Sequence, residues 1–329
     1  MADGVLYCSG GMASGAVGRA WSSARLSLAE WFPAEGSPAR WPSARWVALC
    51  WPFASGSFAC GGGAALLHPA QTLPVDTVSV GAGVSGQFGS AGVQNAIDRG
   101  RSAAGRPLED PATANTYAEG VLTEALLSPG ASPWLAARVG LPENTEAGLT
   151  YTGRSLRLDG RYALEIGEQS TLSLGLGATG LLLTPERSPP RFGAAQQGPS
   201  NPQAEFEPSA RGWGADLPVL VGYRLLEGFG DIWFGPRLGF EHLSGNLRLQ
   251  RSDPASLRID ARGDRLWVAL VAGFSLGIPP LWLRFELSTT YQRLSGSLKP
   301  AQPDTGLDFD ALEASGWTFS PSGAIVGKF

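Results

Sequence analysis

The chain has 329 residues, enough for one or two domains, with 25 Lys and Arg against 29 Asp and Glu for a net charge of −4. That balance excludes a nucleic-acid-binding protein, which needs concentrated cationic side chains. The 45 Gly and 25 Pro favour many turns over long helices. No run of 18 or more apolar residues occurs beyond residue 60, so no helical membrane span is expected. Mean hydropathy of −0.02 fits a soluble protein and an alternating membrane barrel equally well. The three cysteines, Cys8, Cys50 and Cys60, form no Cys-x-x-Cys pair, so neither a metal site nor a redox centre is expected.

Residues 1–44 carry Trp21, Trp31 and Trp41 among Pro, Ser and Arg, with no period of 2 or 3.6. Residues 45–63, "RWVALCWPFASGSFACGGG", have a positive charge, about a dozen mostly apolar residues and a small residue before a Cys, the pattern of a secretory leader. The reading is a leader over 1–59, with 1–44 ahead of the true start and 45–59 a signal peptide. The "SFAC" stretch resembles a bacterial lipoprotein signal, which implies lipidation of Cys60, with Ser57 standing where that pattern has Leu. Residues 60–74, including His68, read as a linker, and 75–329 as the folded domain.

Within that domain the apolar period is two, repeatedly. The first strand is expected at 77–88. The segment 90–131 follows, where "TYAEGVLTEALL" reads as a short helix or as two further strands. Strands follow at 134–141, 146–154 and 155–166, the last setting Leu156, Leu158, Tyr162, Leu164 and Ile166 against Arg157, Asp159, Arg161 and Glu165. At 171–181, Leu172, Leu174, Leu176 and Ala178 oppose Ser173, Gly175, Gly177 and Thr179. Further strands are expected at 212–226, 231–243, 264–278, 281–292 and 314–329. Pro218, Pro236 and Pro321 lie inside three of them and each removes a ladder donor, to be absorbed at bulges or strand ends.

That makes ten strands, with twelve the alternative. The links "PENT", "GEQS", "EGFG" and "IPP" are short. They alternate with mostly longer ones at 185–211, 245–262 and 296–312, the tight Gly153-Arg154 link being an exception. Short turns at one end and long loops at the other describe an all-β, antiparallel transmembrane β-barrel with both termini on the periplasmic side. In lipid every backbone polar group must be paired, so the sheet must close. Arg138, Arg157, Asp159, Arg161, Glu165, Asp216, Arg224, Arg237, Glu241, Arg284 and Glu286 would then project into a lumen plugged by ion pairs. A ten-strand barrel is too narrow for a wide pore, and a narrow conduit is the alternative. A soluble lipocalin-like binding barrel, apolar face inward, is a further alternative, although residues 60–329 exceed a lipocalin's usual size.

The last strand sets Trp317, Phe319, Ile325 and Phe329 against Thr318, Ser320, Ser322 and Lys328. It resembles the C-terminal signal of outer-membrane proteins, here Ile325 and Phe329, with Gly327 where that pattern has a bulky residue. The resemblance implies recognition by the barrel assembly machinery and places Phe329 in a periplasmic aromatic girdle. Taken whole, residues 75–329 resemble the uncharacterised outer-membrane β-barrel proteins of Gram-negative bacteria, some of which carry a lipoprotein leader. That implies an outer-membrane location, contact with membrane lipids and lipopolysaccharide, and a structural or surface-interaction role.

Little chemistry is written in the sequence. His242 and Ser244, in "FEHLSGN", share the lipid-side face with Phe234, Leu238 and Phe240 near the outer rim. This His-x-Ser resembles the outer-membrane lipid A deacylases, which implies His242 as general base and Ser244 as nucleophile of an acyl esterase. Gly245 stands in place of the family's Asn, and Asp253 and Asp260 are the acids nearby. Asp304, Asp308 and Asp310 read as a solvated loop, with calcium bound to lipopolysaccharide as the alternative. No nucleotide-binding glycine motif is present and no cofactor is expected.

Overall fold

The computed structural model describes residues 65–103, 106, 110–127, 129–182, 204–206, 211–225, 229–249, 257–300 and 311–329. The leader, Cys60, Asp253, Asp304, Asp308 and Asp310 lie outside the described residues. The strands are β1 (Val78–Gly89), β2 (Gly130–Leu141), β3 (Thr145–Tyr151), β4 (Ser155–Glu165), β5 (Ser170–Leu181), β6 (Ala204–Phe206), β7 (Arg211–Leu225), β8 (Gly230–Leu249), β9 (Leu257–Ile278), β10 (Leu281–Pro300) and β11 (Leu312–Lys328). Ten of them form a closed antiparallel barrel, each pairing with its neighbours, while the three-residue β6 lies against the far end of β8. The seam is β1 against β11. Val78 and Phe329 exchange backbone hydrogen bonds of 3.0 and 2.9 Å there, so Phe329 supplies the last rung of the closure.

Each of the three prolines coincides with missing rungs. The β5–β7, β7–β8 and β1–β11 ladders each skip two partner pairs beside Pro218, Pro236 or Pro321 and then resume in the same register. The lost donors are therefore absorbed in place, with no bulge.

Apolar side chains cover the outside. Leu158, Leu176, Leu266, Leu270 and Phe234 are among many large apolar residues that face outward, Leu176 being 64% exposed. A soluble monomer does not present a belt of this kind, so the lipocalin-like arrangement is excluded and the barrel is a membrane-embedded one. Aromatic pairs mark one margin of the belt, Trp213 with Phe240 (ring centroids 5.5 Å apart) and Tyr291 with Trp317 (5.3 Å). No helix among the described residues is long and apolar enough to cross a membrane.

The expected long loops are shorter than their sequence suggests, because β8, β9, β10 and β11 run on past the belt. Residues 245–249, 257–262, 296–300 and 312 are strand. Along these extensions the two faces exchange character. Leu243, Leu247, Ile259, Ala261, Leu294, Leu298 and Leu312 point inward and are buried, while Arg248, Arg258, Asp260, Arg262 and Lys299 face water.

The segment between β1 and β2 accounts for the inversion. It forms two helices, α1 (Ala91–Ala103) and α2 (Pro111–Leu127), rather than two extra strands. Asp110 caps α2, its Oδ2 accepting from the Thr113 amide at 3.1 Å and hydroxyl at 2.7 Å, and Pro111 occupies the first helical position. Val93, Ile97, Tyr117, Val121, Leu122 and Leu126 pack on the inward leucines of the extended strands in one buried cluster. The helices touch where Gly100 meets Gly120, and a Cβ on Gly120 would stand 2.6 Å from the Gly100 Cα. Gly120→Leu should therefore push the helices apart. Trypsin should then cut at Arg99 and Arg101 in the folded barrel, while the heat-dependent gel mobility of the barrel itself stays unchanged.

Candidate functional site

Period-two strands give the barrel one inner face per strand, and the residue types on it decide what fills the lumen. Arg161 pairs with Glu146 at 2.7 Å, and Glu146 also pairs with Arg138. Arg138 meets Asp159 at 2.5 Å, Asp159 meets Arg157 at 2.6 Å, and Arg157 grips Asp216 through two bonds of 2.8 and 2.9 Å. Asp216 then binds Arg237 at 3.1 Å. The chain alternates in sign through seven buried side chains on β2, β3, β4, β7 and β8. It passes over β5, whose Gly177 leaves room: a Cβ there would lie 2.5 Å from the Arg157 guanidinium. Beyond Arg237 the Trp267 ring lies between two cations, its centroid 5.0 Å from Arg237 and 5.8 Å from Arg265. Arg265 closes on Glu241 at 3.1 Å and on Gln292 at 2.6 Å.

Of the lumen residues expected from alternation, Arg138, Arg157, Asp159, Arg161, Asp216, Arg237, Glu241, Arg284 and Glu286 are buried inside the barrel. Glu165 is not; it sits exposed at the short-turn end of β4 and joins no pair among the described residues. Arg224 is also exposed, at the same end, where it lines a cavity of about 310 Å³ with Arg284, Lys328 and Asp231. Glu146, Asp231 and Arg265 complete the inner face, and the same parity along β3, β8 and β9 would have named them.

Residues 65–73 of the stretch read as a linker form a strap inside the lumen. Residues 65–70 are buried, and their backbone is held by wall side chains. Glu286 accepts from the Leu66 and Leu67 amides at 2.8 and 2.7 Å, and Arg284 donates to the Leu67 carbonyl at 2.9 Å. Arg161 donates to the carbonyls of Pro69 and Gln71, and Glu146 accepts from the Leu73 amide at 2.8 Å. Leu67 has a φ of 49°, a conformation rare for a branched side chain, which turns two successive amides toward one carboxylate. Leu67 packs with Trp134, Trp282 and Val326 on one wall, and Leu66 packs with Leu220, Trp233 and Val271 on the other. His68 accepts from Arg161 through Nδ1 at 3.0 Å. Burial, then the charges of Arg161, Arg138 and Arg157, hold its pKa well below the usual histidine range, so it is neutral.

At the other end the helical hairpin is tied into the same network. Arg154, placed by the tight turn at Gly153 (φ 75°), donates to the Ala125 and Leu126 carbonyls at 2.9 and 3.4 Å, so a cation satisfies the C-terminus of α2. It also lies 3.6 Å from Glu241. Between strap and hairpin lies a cavity of about 20 Å³, lined by Ala65, Arg157, Asp216, Glu241 and Arg265 among others. That is room for about one water.

Outside the barrel, His242 donates from Nδ1 to Asp264 on β9, 2.7 Å away, and Ser244 shares its outward face. Asp260 stands opposite Asn246, further from the belt, so Asp264 is the acid that reaches the histidine. Among the described residues no group of His, Cys, Asp and Glu is placed to hold a metal.

These features define a class: an integral-membrane β-barrel whose lumen is filled by its own chain. No family model and no curated protein matches the sequence. Solved structures similar to it include Neisserial surface protein A (9% identity, 77% of this chain and 96% of that one, TM-score 0.28). Others are a major outer membrane protein from Thermus thermophilus (12%, 77% and 99%, 0.32) and the toluene transporter TodX of Pseudomonas putida (12%, 82% and 96%, 0.28).

Asp216→Ala should remove the paired bonds to Arg157, leaving it Asp159 alone, together with the ion pair to Arg237, costing about 3–5 kcal/mol. The heat-induced shift from compact to unfolded gel mobility should then occur at a lower temperature, whereas Glu165→Ala should leave it unchanged. A second prediction concerns Glu124 on α2, whose Oε1 accepts from Arg101 at 3.3 Å while burial lifts its pKa to about 7. A raised carboxyl pKa makes the docked helix most stable below the unfolded value of about 4.5, and that stability is lost as pH rises through about 7. Amide exchange of α2, corrected for intrinsic rates, should speed up over that interval, and Glu124→Gln should flatten the dependence.

Proposed function

We propose that the chain is a bacterial outer-membrane barrel held shut at rest, with a structural or surface-contact role and its helical end toward the exterior. Export follows from the leader ending before Cys60, assembly from the strand that closes on Phe329, and the partners are outer-membrane lipids and lipopolysaccharide. The observation that carries this reading is that strap and hairpin are both hydrogen-bonded by backbone to lumen side chains, with a cavity of about 20 Å³ between them. A barrel of ten strands has a bore small enough for side chains to close, and here two inserted segments bind to those side chains by backbone. Short turns and both barrel ends lie at the strap end, and the polar strand extensions lie at the other, the polarity of outer-membrane barrels.

A gated conduit is the second reading, favoured by one observation. Among the described residues the strap crosses the lumen once, held largely by Glu286, Arg161 and Glu146, with a cavity of about 310 Å³ already open beside it. Planar-bilayer recording separates the two. Full-length protein should show no sustained conductance, and Glu286→Ala, which frees the Leu66 and Leu67 amides, should produce brief openings. Steady conductance from the unaltered chain would overturn the closed barrel in favour of the conduit.

A further inference from the structure

The cavity of about 310 Å³ beside the strap is lined by charges that the buried ion-pair chain does not neutralise. Two rungs of the inner face meet there. On one, Arg224, Asp231, Ser275 and Arg284 stand in register on β7, β8, β9 and β10. On the other, Arg138, Ser79 and Lys328 do so on β2, β1 and β11. Arg138, like Arg161, already holds Glu146. Arg224, Arg284 and Lys328, by contrast, make no ion pair among the described residues. Arg284, only 3% exposed, gives one bond to the Leu67 carbonyl, and the Lys328 ammonium lies 3.9 Å from the centre of the Trp282 ring. Sharing the cavity with these three cations is one unpaired carboxylate, Asp231, which accepts from the Ser275 hydroxyl at 3.1 Å. The wall therefore carries a surplus of two positive charges.

The hydrogen-bonding groups point the same way. Arg161 Nε, Arg284 Nε and His68 Nε2 belong to lining residues, are buried, and have no acceptor among the described residues. His68 Nε2 is a donor, because Nδ1 accepts from Arg161. The Gln71 amide, on the same wall, is unpartnered at both ends. A buried cation without counter-charge and a buried donor without acceptor are each costly. An anion in the cavity relieves both costs.

We propose that this cavity binds a small dianionic oxyanion, a phosphate monoester or a dicarboxylate, admitted at the short-turn end of the barrel. Its volume falls at the lower end of the range of small-molecule sites, roughly 300–1,000 Å³. Arg224 is exposed and Lys328 half-buried, so both stand at the mouth, with Arg284 at the inner end. The guanidinium groups can each hold two oxygens through paired donors, and Lys328 acts as a point charge. Asp231 holds the surplus at two rather than three and so tempers the affinity. Because His68 and Gln71 belong to the strap, a bound anion bridges strap and wall and keeps the strap seated. With the orientation proposed above, the mouth faces the periplasm; binding itself does not depend on which way the barrel is inserted.

The test is calorimetric titration of the full-length protein in detergent micelles, its folding verified by heat-dependent mobility, with inorganic phosphate and with succinate. At about pH 8, where both probes are dianions, at least one should bind at a single saturable site. Phosphate alone would mark a phosphoryl ligand, and succinate alone a dicarboxylate. Arg224→Gln and Lys328→Gln lie outside the buried ion-pair chain, so they should fold and should each weaken binding by about tenfold or more. Asp231→Asn, which keeps an acceptor for Ser275, should strengthen it. Lys299→Gln, which removes an outward cation at the far end of β10, should change nothing. Correctly folded protein that binds neither probe would overturn the proposal. Binding that survives both mouth substitutions, or that falls equally with Lys299→Gln, would do the same.

Discussion

The constraint on which the rest depends is that hydrocarbon offers no hydrogen-bond partner to a backbone. The sheet must therefore close, and the last rung of closure is the reciprocal Val78–Phe329 pair. Closure by ten strands fixes a bore of limited width, and apolar side chains must cover the outside. Everything polar then goes either inward or to the rims. The lumen contents follow from that geometry rather than from a separate design.

A lumen filled with charge raises an energetic question. Each buried ion loses hydration, and Coulomb attraction offsets the loss only when pairing is complete and the remaining donors are used. The seven-member chain from Arg161 to Arg237 approaches that condition by giving each of its carboxylates two cationic neighbours. Donors left over go to backbone: Arg161, at one end of the chain, to the strap carbonyls, and Arg154 and Arg265, which pair with Glu241, to the C-terminus of α2. Strap and hairpin are thus additional partners that a purely side-chain lumen would lack. Glu286 is the inverse case, a carboxylate with two amide donors in place of a cation.

Alternation made much of this legible. Ten strands, the inner parity of Arg157, Asp159 and Arg161, and the outward set of Trp317, Phe319, Ile325 and Phe329 all follow from a period of two. Two features did not follow, for physical reasons. The strap has no period because its residues contact two opposite walls in turn, Leu66 one and Leu67 the other. The strand extensions looked like loops because their polar residues face outward, where the belt below has leucine, so the apolar phase shifts by one along each chain. A phase shift reads as a broken strand unless the helices that cover the inner leucines are known. The acid partner of His242 was hidden similarly: it lies 22 residues away on β9 and is brought opposite only by register.

That phase shift links the sealed lumen to the wall outside it. Apolar residues turn inward along β8, β9 and β10 because α1 and α2 need an apolar seat, and the same turn of parity leaves His242, Ser244, Arg262 and Asp264 outward, just beyond Phe240 and Leu266. A barrel whose strands ended at the belt would have had neither the seat nor the polar rungs at the edge of the lipid. The hairpin that seals the lumen and the polar wall outside it are therefore two faces of one set of extended strands. A wall so built is rigid, being hydrogen-bonded on both sides between β7 and β9 and backed by a packed core.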